Sequence, residues 1–518
     1  MPRFRHLLSI LPSLVACTGN RGSAAAPLVY YESYDPRSLD PALSTDVPTG
    51  EMVTLAYDGL TRFDVNGRLE PALADRWTPD SRGLRYRFHL RPGVRFADGT
   101  PVTPASIRSS FLRVLDPKST GGRAWPLLPI KGAREYAAGR ALDVAGIELL
   151  GDSAVALTLE QPLAVFPKFL AMPVASVVAL HPGPDVETIG TGPWRLTGWA
   201  HDDALHFARN AAYWDAAAQT ESLVVRIIPD QLVRAAELEA GRLDVVEVPF
   251  GETAAWRARH PEWLQEKPAL RDVYVALNNR RGPLRDVRVR QAINYAVNVP
   301  AILAAVYGGR GIRARGSIPP SLAGSDTTRA DYEYDPARAK QLLAAAGFPG
   351  GVSLELWRAA DNETLGRVAQ AVQADLEQVG IRVTLVARDA SSQRAAARAG
   401  NADMAILDWW ADYPDGDDFL FPLFSSTSFG AGGNYAFYSD PVTDSLLSAA
   451  RRTQDDAARE SLYRTIDERV YRAAPWLYLW FPVDLWAQSP RITGWDLPVI
   501  FNGQRWTGVR RAPPQPPS

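Results

Sequence analysis

Cysteine is almost absent from this chain: Cys17 is the only one in 518 residues. A secreted protein with one thiol has no internal disulfide, so that thiol needs another use. Lysine is nearly as scarce, with five Lys among 56 basic residues. Charge of one sign is not in excess either: 56 basic residues face 58 acidic ones, and no block of like charge stands out. That argues against nucleic acid as the main partner, which needs a strong basic field. Long apolar runs are missing from the body. The nearest, Leu163 to Leu180, contains Pro167, Lys168 and Pro173, so the body is not expected to span a membrane. Histidines number six, and there is no H-E-x-x-H and no G-x-S-x-G. His201 and His206 stand five apart in a polar stretch that reads as a solvated loop, not a metal pair. Gly190-Thr191-Gly192 is a lone G-x-G with no Lys, too little for a phosphate loop. Carboxylate pairs are too common to exclude a glycosidase outright. No nucleophile with a base, no metal set and no cofactor motif is found, so the expectation is a protein that is not an enzyme and carries no cofactor or metal.

What is there begins with an address. Arg3 and Arg5 precede a short apolar stretch, Leu7 to Val15, and then Leu14-Val15-Ala16-Cys17. Small residues before a cleavage point mark a secretory signal over residues 1–16. A Cys directly after Leu-Val-Ala resembles the bacterial lipobox, in which the thiol is diacylated and becomes the first residue. Cleavage there removes Arg3 and Arg5 and leaves 54 basic against 58 acidic residues, a net charge of -4. Residues 17–26 are small and polar, a tether. The length predicts two or three lobes. A composition of 46% hydrophobic and 22% charged residues is that of a globular protein. The 15 Trp and 18 Tyr supply flat amphipathic side chains for a core or a cleft.

Leu28-Val29-Tyr30-Tyr31 reads as a short strand. In 84–97, Leu84, Tyr86, Phe88 and Leu90 alternate with Arg85, Arg87, His89 and Arg91, a half-exposed strand ending at a Pro92-Gly93 turn. Residues 147–159 predict a strand pair about Gly151-Asp152. A helix ending at Gly241 precedes an extended run, Leu243 to Val248. Asp286 caps a helix with Val289, Ala292, Ile293, Ala296 and Val297 on one face. Asp335-Pro336 opens another, and Gly347 closes it. Then Val352–Trp357 is a strand, Leu365 to Val379 an amphipathic helix, and Ile381–Val386 a strand. This βαβ unit requires a parallel pair with a right-handed crossover. The chain reads as α/β with an added α+β portion, and its Pro-rich tail, 512–518, as disordered.

The most unusual local composition is 408–418, DWWADYPDGDD, with five Asp, two Trp and a Tyr. Its spacing fails the EF-hand pattern. Two readings stay open: a solvated acidic turn with two core Trp, or a cation site in which a carboxylate flanked by aromatic faces takes an ammonium.

Several phrases, in this order, resemble one family. They are SLDPALSTDVPTGEMVTLAYDGLTRFD at 38–64, LEPALADRWTPD at 69–80 and LRYRFHLRPGVRFADGTPVTPASIRSSFLRVLDP at 84–117. GTGPWRL at 190–196, FARNAAYW at 207–214, YVALNNRRGPLRDVRVRQAINYAVN at 274–298, YDPARAKQLLAAAGFPGG at 334–351 and DWWADYPDGDDFL at 408–420 follow. From about residue 28 to 510 the chain resembles the bacterial extracellular solute-binding proteins of the peptide/nickel type, family 5, which feed ABC importers. The resemblance implies a periplasmic-binding-protein-like fold of two lobes with a hinge and an extra α+β domain inserted in the first lobe. Lobe I would be 27–56, 180–270 and 481–511, the inserted domain II 57–179, and lobe III 271–480. The chain would cross between lobes near 270–276 and 478–484, and ligand would be engulfed by hinge closure.

The family's Asp that grips a ligand α-amino group sits in a W-x-(A/G)-D phrase, here Trp409-Trp410-Ala411-Asp412, which makes Asp412 the implied amine ligand. Trp410, Trp409, Tyr30, Trp125, Asn278 and Asn434 are the implied cleft-lining residues. The Arg with which dipeptide-binding members hold the ligand carboxylate has no counterpart in register. Arg358 or Arg280 is left for that end. The function implied is a non-catalytic, lipid-anchored periplasmic receptor, a monomer, that delivers oligopeptides or similar amine-bearing solutes to ABC transporter permease subunits. Thr18 after the Cys favours the outer membrane. A receptor for a non-peptide or metal-chelate solute, and a periplasmic chaperone, are the alternatives.

Overall fold

The computed structural model describes residues 26–119, 121, 123–181 and 187–512. The expected signal segment, Cys17, most of the tether and residues 513–518 lie outside the described residues. Three sheets organise the rest. The first starts from the Leu28–Glu32 strand, which pairs in parallel with Ser222–Ile227. Ala204–Arg209 and Trp194–Ala200 extend it antiparallel. Leu28, Leu223, Val225 and Leu205 point inward and are buried, as the period of two requires. Against this sheet lies the Val47–Ala56 helix, whose first turn is held by Asp46: its Oδ1 accepts from the Thr49 amide at 3.0 Å.

The second sheet is antiparallel, in the order Ala74–Pro79, Arg85–Leu90, Ala154–Thr158, Ile147–Leu150. Tyr86, Phe88 and Leu90 face its core, so the alternation read at 84–90 sets the buried face. This core is not closed on itself. Its apolar residues are continuous with those of 397–481, including Tyr413, Phe419 and Phe424. The segment expected as an insertion on the first lobe therefore also packs on the third.

The third sheet has eight strands. Val352–Ala359 and Ile381–Arg388 are parallel and joined by the Glu363–Gln378 helix, the βαβ unit read from the sequence. Leu365, Val368, Ala369, Val372 and Leu376 of that helix are buried on the sheet. Met404–Trp410 runs parallel to Val352–Ala359 and antiparallel to Arg271–Leu277. Arg271–Leu277 in turn pairs with the 13-residue strand Trp476–Gln488. That long strand links two parts of the molecule. Its first half pairs with Arg271–Leu277 and Gly311–Arg313, and its second half with Leu264–Pro268 and Val245–Glu247. The passage at 478–484 is thus one continuous strand that changes partners along its length.

Gly190 and Gly192 also find their explanation here. A Cβ on Gly190 would stand 2.0 Å from the Ala56 carbonyl oxygen, and one on Gly192 2.4 Å from the Ala56 carbonyl carbon. The Gly pair lets this loop seat directly on the end of the Val47–Ala56 helix, which is a packing role.

Candidate functional site

The acidic segment leaves the Met404–Trp410 strand, turns, and enters the Gly416–Phe424 helix. Its five carboxylates have different fates, and the difference defines the site. Asp408 accepts from Arg271 at 2.9 Å and from the Trp410 indole at 2.9 Å. Asp415 caps the helix through the Asp417 amide and accepts from the Lys168 ammonium at 2.6 Å. Asp417 takes both oxygens to Arg451 Nε at 3.0 Å and accepts from the Tyr413 hydroxyl at 2.7 Å. These three are structural: each has a fixed cation.

Asp412 and Asp418 remain. Asp418 is buried and accepts from the Asp412 amide at 2.9 Å and from the Trp409 indole at 3.3 Å. Among the described residues it has no cation. Burial, and then the Asp412 charge beside it, push its acid well above the usual carboxylate range. Asp412 is more open, with a side-chain exposure of 22%, and its carboxylate meets Arg123. Burial raises the Asp412 acid and the Arg123 guanidinium opposes that rise. Arg123 also donates to the Thr45 carbonyl at 3.2 Å. One guanidinium, two residues before Trp125, thereby ties Asp412 to the start of the Val47–Ala56 helix.

An aromatic wall stands beside this pair. The Tyr413 ring lies 5.0 Å from Phe169, and Trp125 lies 5.0 Å from Phe169 and 6.3 Å from Tyr413. Two carboxylates and one guanidinium thus stand against a largely buried aromatic wall, with Asp412 and Arg123 the part-exposed members.

The other implied residues are distributed unequally about it. Trp409 and Trp125 belong to the cluster. Trp410 carries the Arg271 guanidinium 4.3 Å over its ring and is otherwise 47% exposed. Asn434 is fully buried, donating to the Ser425 and Tyr438 carbonyls and accepting from the Tyr438 amide. Asn278 is buried too, donating to Gly400 and Ala402 and accepting from the Arg280 amide. Both amides clamp backbone and have no free group to offer a solute. Arg358 donates to the Ala359 carbonyl at 3.1 Å, while its buried Nε has no partner among the described residues. Arg280 lies over the Phe429 ring at 4.2 Å. Tyr30 is buried against Trp506, and its hydroxyl donates to Glu51 at 2.9 Å. A separate cavity of about 260 Å3 is lined by Ile312, Arg313, Asp326, Asp467 and Phe481 and includes none of the implied residues.

Arg123, Glu32 and Glu51 were not singled out from the sequence, and Asp418 stood out only as one of the five Asp of 408–418. Arg123 follows small residues in the sequence and belongs to no motif. Glu32 did carry a signal, an acid closing the otherwise apolar run LVYYE.

The family model described as "Bacterial extracellular solute-binding proteins, family 5 Middle" matches residues 68–431, and the chain belongs to this family. The heme-binding protein A of Haemophilus influenzae is 30% identical over 508 residues, covering 93% of this chain and 91% of that protein. The dipeptide-binding protein of Escherichia coli is 31% identical over 495 residues, covering 91% of this chain and 92% of that protein. Among solved structures, the ABC transporter-associated periplasmic binding protein DppA from Helicobacter pylori, in complex with peptide STSA, superposes with a TM-score of 0.78. It is 28% identical and covers 94% of this chain and 98% of its own. The fold is the two-lobed periplasmic-binding-protein fold, mixed α/β with helices and sheets.

Proposed function

We propose that this chain is the lipid-anchored periplasmic receptor of an ABC importer, and that it binds a peptide, or a solute with a peptide-like amine, in the cleft at Asp412. The observation that carries the reading is the Asp412–Arg123 contact. The carboxylate that the family resemblance implies for a ligand ammonium already holds a cation, and that cation is borrowed from a distant loop. With Asp418 behind it, the pocket has two carboxylates for one guanidinium. A ligand ammonium entering there would replace Arg123 at the Asp412 oxygens and keep the site's charge balanced. The rest of an extended ligand would pair with backbone, which makes such a cleft tolerant of side-chain sequence.

The relatives support a transport receptor over an enzyme. One is named for dipeptides and one for heme, and the structural neighbour holds a tetrapeptide. Lobes made of 27–56, 180–270 and 481–511 on one side, carrying the inserted domain 57–179, and 271–480 on the other would close about the two chain passages near 270 and 480. Anchoring would come from the lipid on Cys17.

The test is calorimetry with an alanine tetrapeptide and its N-acetylated form. Asp412→Asn keeps the shape and removes the charge. It should weaken the free-amine peptide by about 1.5–3 kcal/mol, roughly ten- to hundredfold, and leave the acetylated peptide poorly bound to both proteins. Equal affinity of wild type and Asp412→Asn for the free amine would remove the assignment.

A further inference from the structure

We propose that Glu32, Glu51 and Asp46 form a second cation subsite in this cleft, built for the guanidinium or ammonium of a basic ligand side chain. The inference rests on the peptide reading above and names the class of peptide that the site prefers.

The three carboxylates come from three places: the last residue of the Leu28–Glu32 strand, the cap of the Val47–Ala56 helix, and that helix's own second turn. Glu32 is 5% exposed, and its Oε1 has no hydrogen-bond partner among the described residues. Asp46 uses Oδ1 to cap the helix, while its buried Oδ2 is likewise without a partner. Glu51 accepts from the Tyr30 hydroxyl at 2.9 Å and shares a side-chain hydrogen bond with Glu32, so the two acids form a pair with Glu32 as its protonated member. Glu51 and Asp46 are only half-buried, so the group opens outward past them. Tyr34 stands at this opening with its ring 48% exposed, a face for a cation. Thr45, next to Asp46, is the residue whose carbonyl holds Arg123. The acidic group therefore begins one residue from the amine site.

Acids without a cation partner are costly to bury, and here Arg234 relieves Glu32 only in part. Arg234 is nearest, but it lies 4.5 Å over the Tyr31 ring and donates to the Ile228 and Pro229 carbonyls. Arg37 is exposed and acts mainly on Tyr34. Mutual repulsion shows in the titration. Burial comes first, then Glu51 and Asp46, in raising the Glu32 acid well above its usual range, and Glu51 itself is pushed up to about 7 by burial. A ligand cation would supply what the site lacks, two to three acceptors around one planar or point charge.

The test uses the processed full-length protein and two pairs of matched tetrapeptides. In one pair arginine replaces its neutral isostere citrulline, and in the other lysine replaces norleucine. The residue is walked through positions one to four of an alanine peptide. At one position a basic side chain should bind roughly ten- to hundredfold tighter than its neutral partner. Glu32→Gln and Glu51→Gln should each reduce that preference while leaving the neutral peptides' affinity unchanged. Peptides that all bind with no preference for a basic side chain overturn the subsite and leave the peptide reading standing. Failure of every peptide, all-alanine included, overturns both. The wild-type comparison decides the matter even if a variant does not fold.

Discussion

Replacing Arg123 by Ala removes the guanidinium that holds Asp412, and the sign of the effect on ligand binding separates two roles for that arginine. If Arg123 is a stand-in for the ligand ammonium, a peptide must break the Arg123–Asp412 contact before its own amine can use those oxygens. The side chains are 29% and 22% exposed, between a surface pair and a fully buried one. Surface pairs are worth about 0.2–1 kcal/mol and hydrogen bonds to charged groups about 1.5–3 kcal/mol. A part-buried contact of this kind is therefore worth about 1–2 kcal/mol. Arg123→Ala should tighten a free-amine peptide by that amount, roughly five- to thirtyfold, with the gain absent for the N-acetylated peptide. The ligand-free variant should be less stable, because Asp412 and Asp418 then face each other with no cation. Calorimetry at one pH, with a denaturant titration of the ligand-free protein beside it, measures both. Weaker binding of the free-amine peptide by Arg123→Ala would refute the competition. It would make Arg123 part of the bound site instead.

Two further outcomes are expected. Glu51 and Asp484 are both pushed up to about 7, by burial in each case and for Asp484 also by Glu247. An acid raised in the folded state stabilises below its ordinary pKa and loses that contribution as pH rises through the folded value. The ligand-free denaturation midpoint should therefore fall between pH ~5 and ~7.5, and Glu51→Gln should flatten part of the slope. A midpoint that stays level or rises across this window would contradict the burial of these acids. Separately, Cys17→Ser should move the protein into the soluble fraction or leave it unprocessed. A variant that still fractionates with membranes, with no shift in mass, would exclude the lipid anchor.

Local structure was legible where one period dominates. The face Leu365, Val368, Ala369, Val372 and Leu376 reads as a helix because apolar spacing alone determines it, and it is the buried face. Caps were legible for the same reason: Asp286 and Asp335 each accept from an amide within three residues. The Trp476–Gln488 strand has no such pattern. It is apolar on both faces for most of its length, since it is covered on both sides and changes partners midway. The Asp412 cluster was half legible. The phrase around Asp412 marks the carboxylate, but Arg123 lies 289 residues away and reaches it only through the fold.

The acidic segment shows why composition could not choose between a solvated turn and a cation site. Both readings assume that its carboxylates are alike, and the fold makes them unlike. Lys168, Arg271 and Arg451, each far from 408–418 in sequence, neutralise three of the five. Those three cations fix the turn so that the remaining two acids lie together, one buried and one half-open. The same division separates Glu32 from Asp244 in the first sheet's core. Asp244 is also fully buried, yet it accepts from the Val29 amide at 2.7 Å and stands 3.3 Å from Arg511. Glu32 has neither partner at its free oxygen. Where a buried acid has a resident cation, its charge holds the fold together. Asp272, on the Arg271–Leu277 strand, is buried with no cation as well, and both its oxygens are without a partner among the described residues. What sets Asp412 and Glu32 apart is that half-open groups stand beside them, Asp412 itself and Glu51 with Asp46, through which a ligand could bring the missing charge.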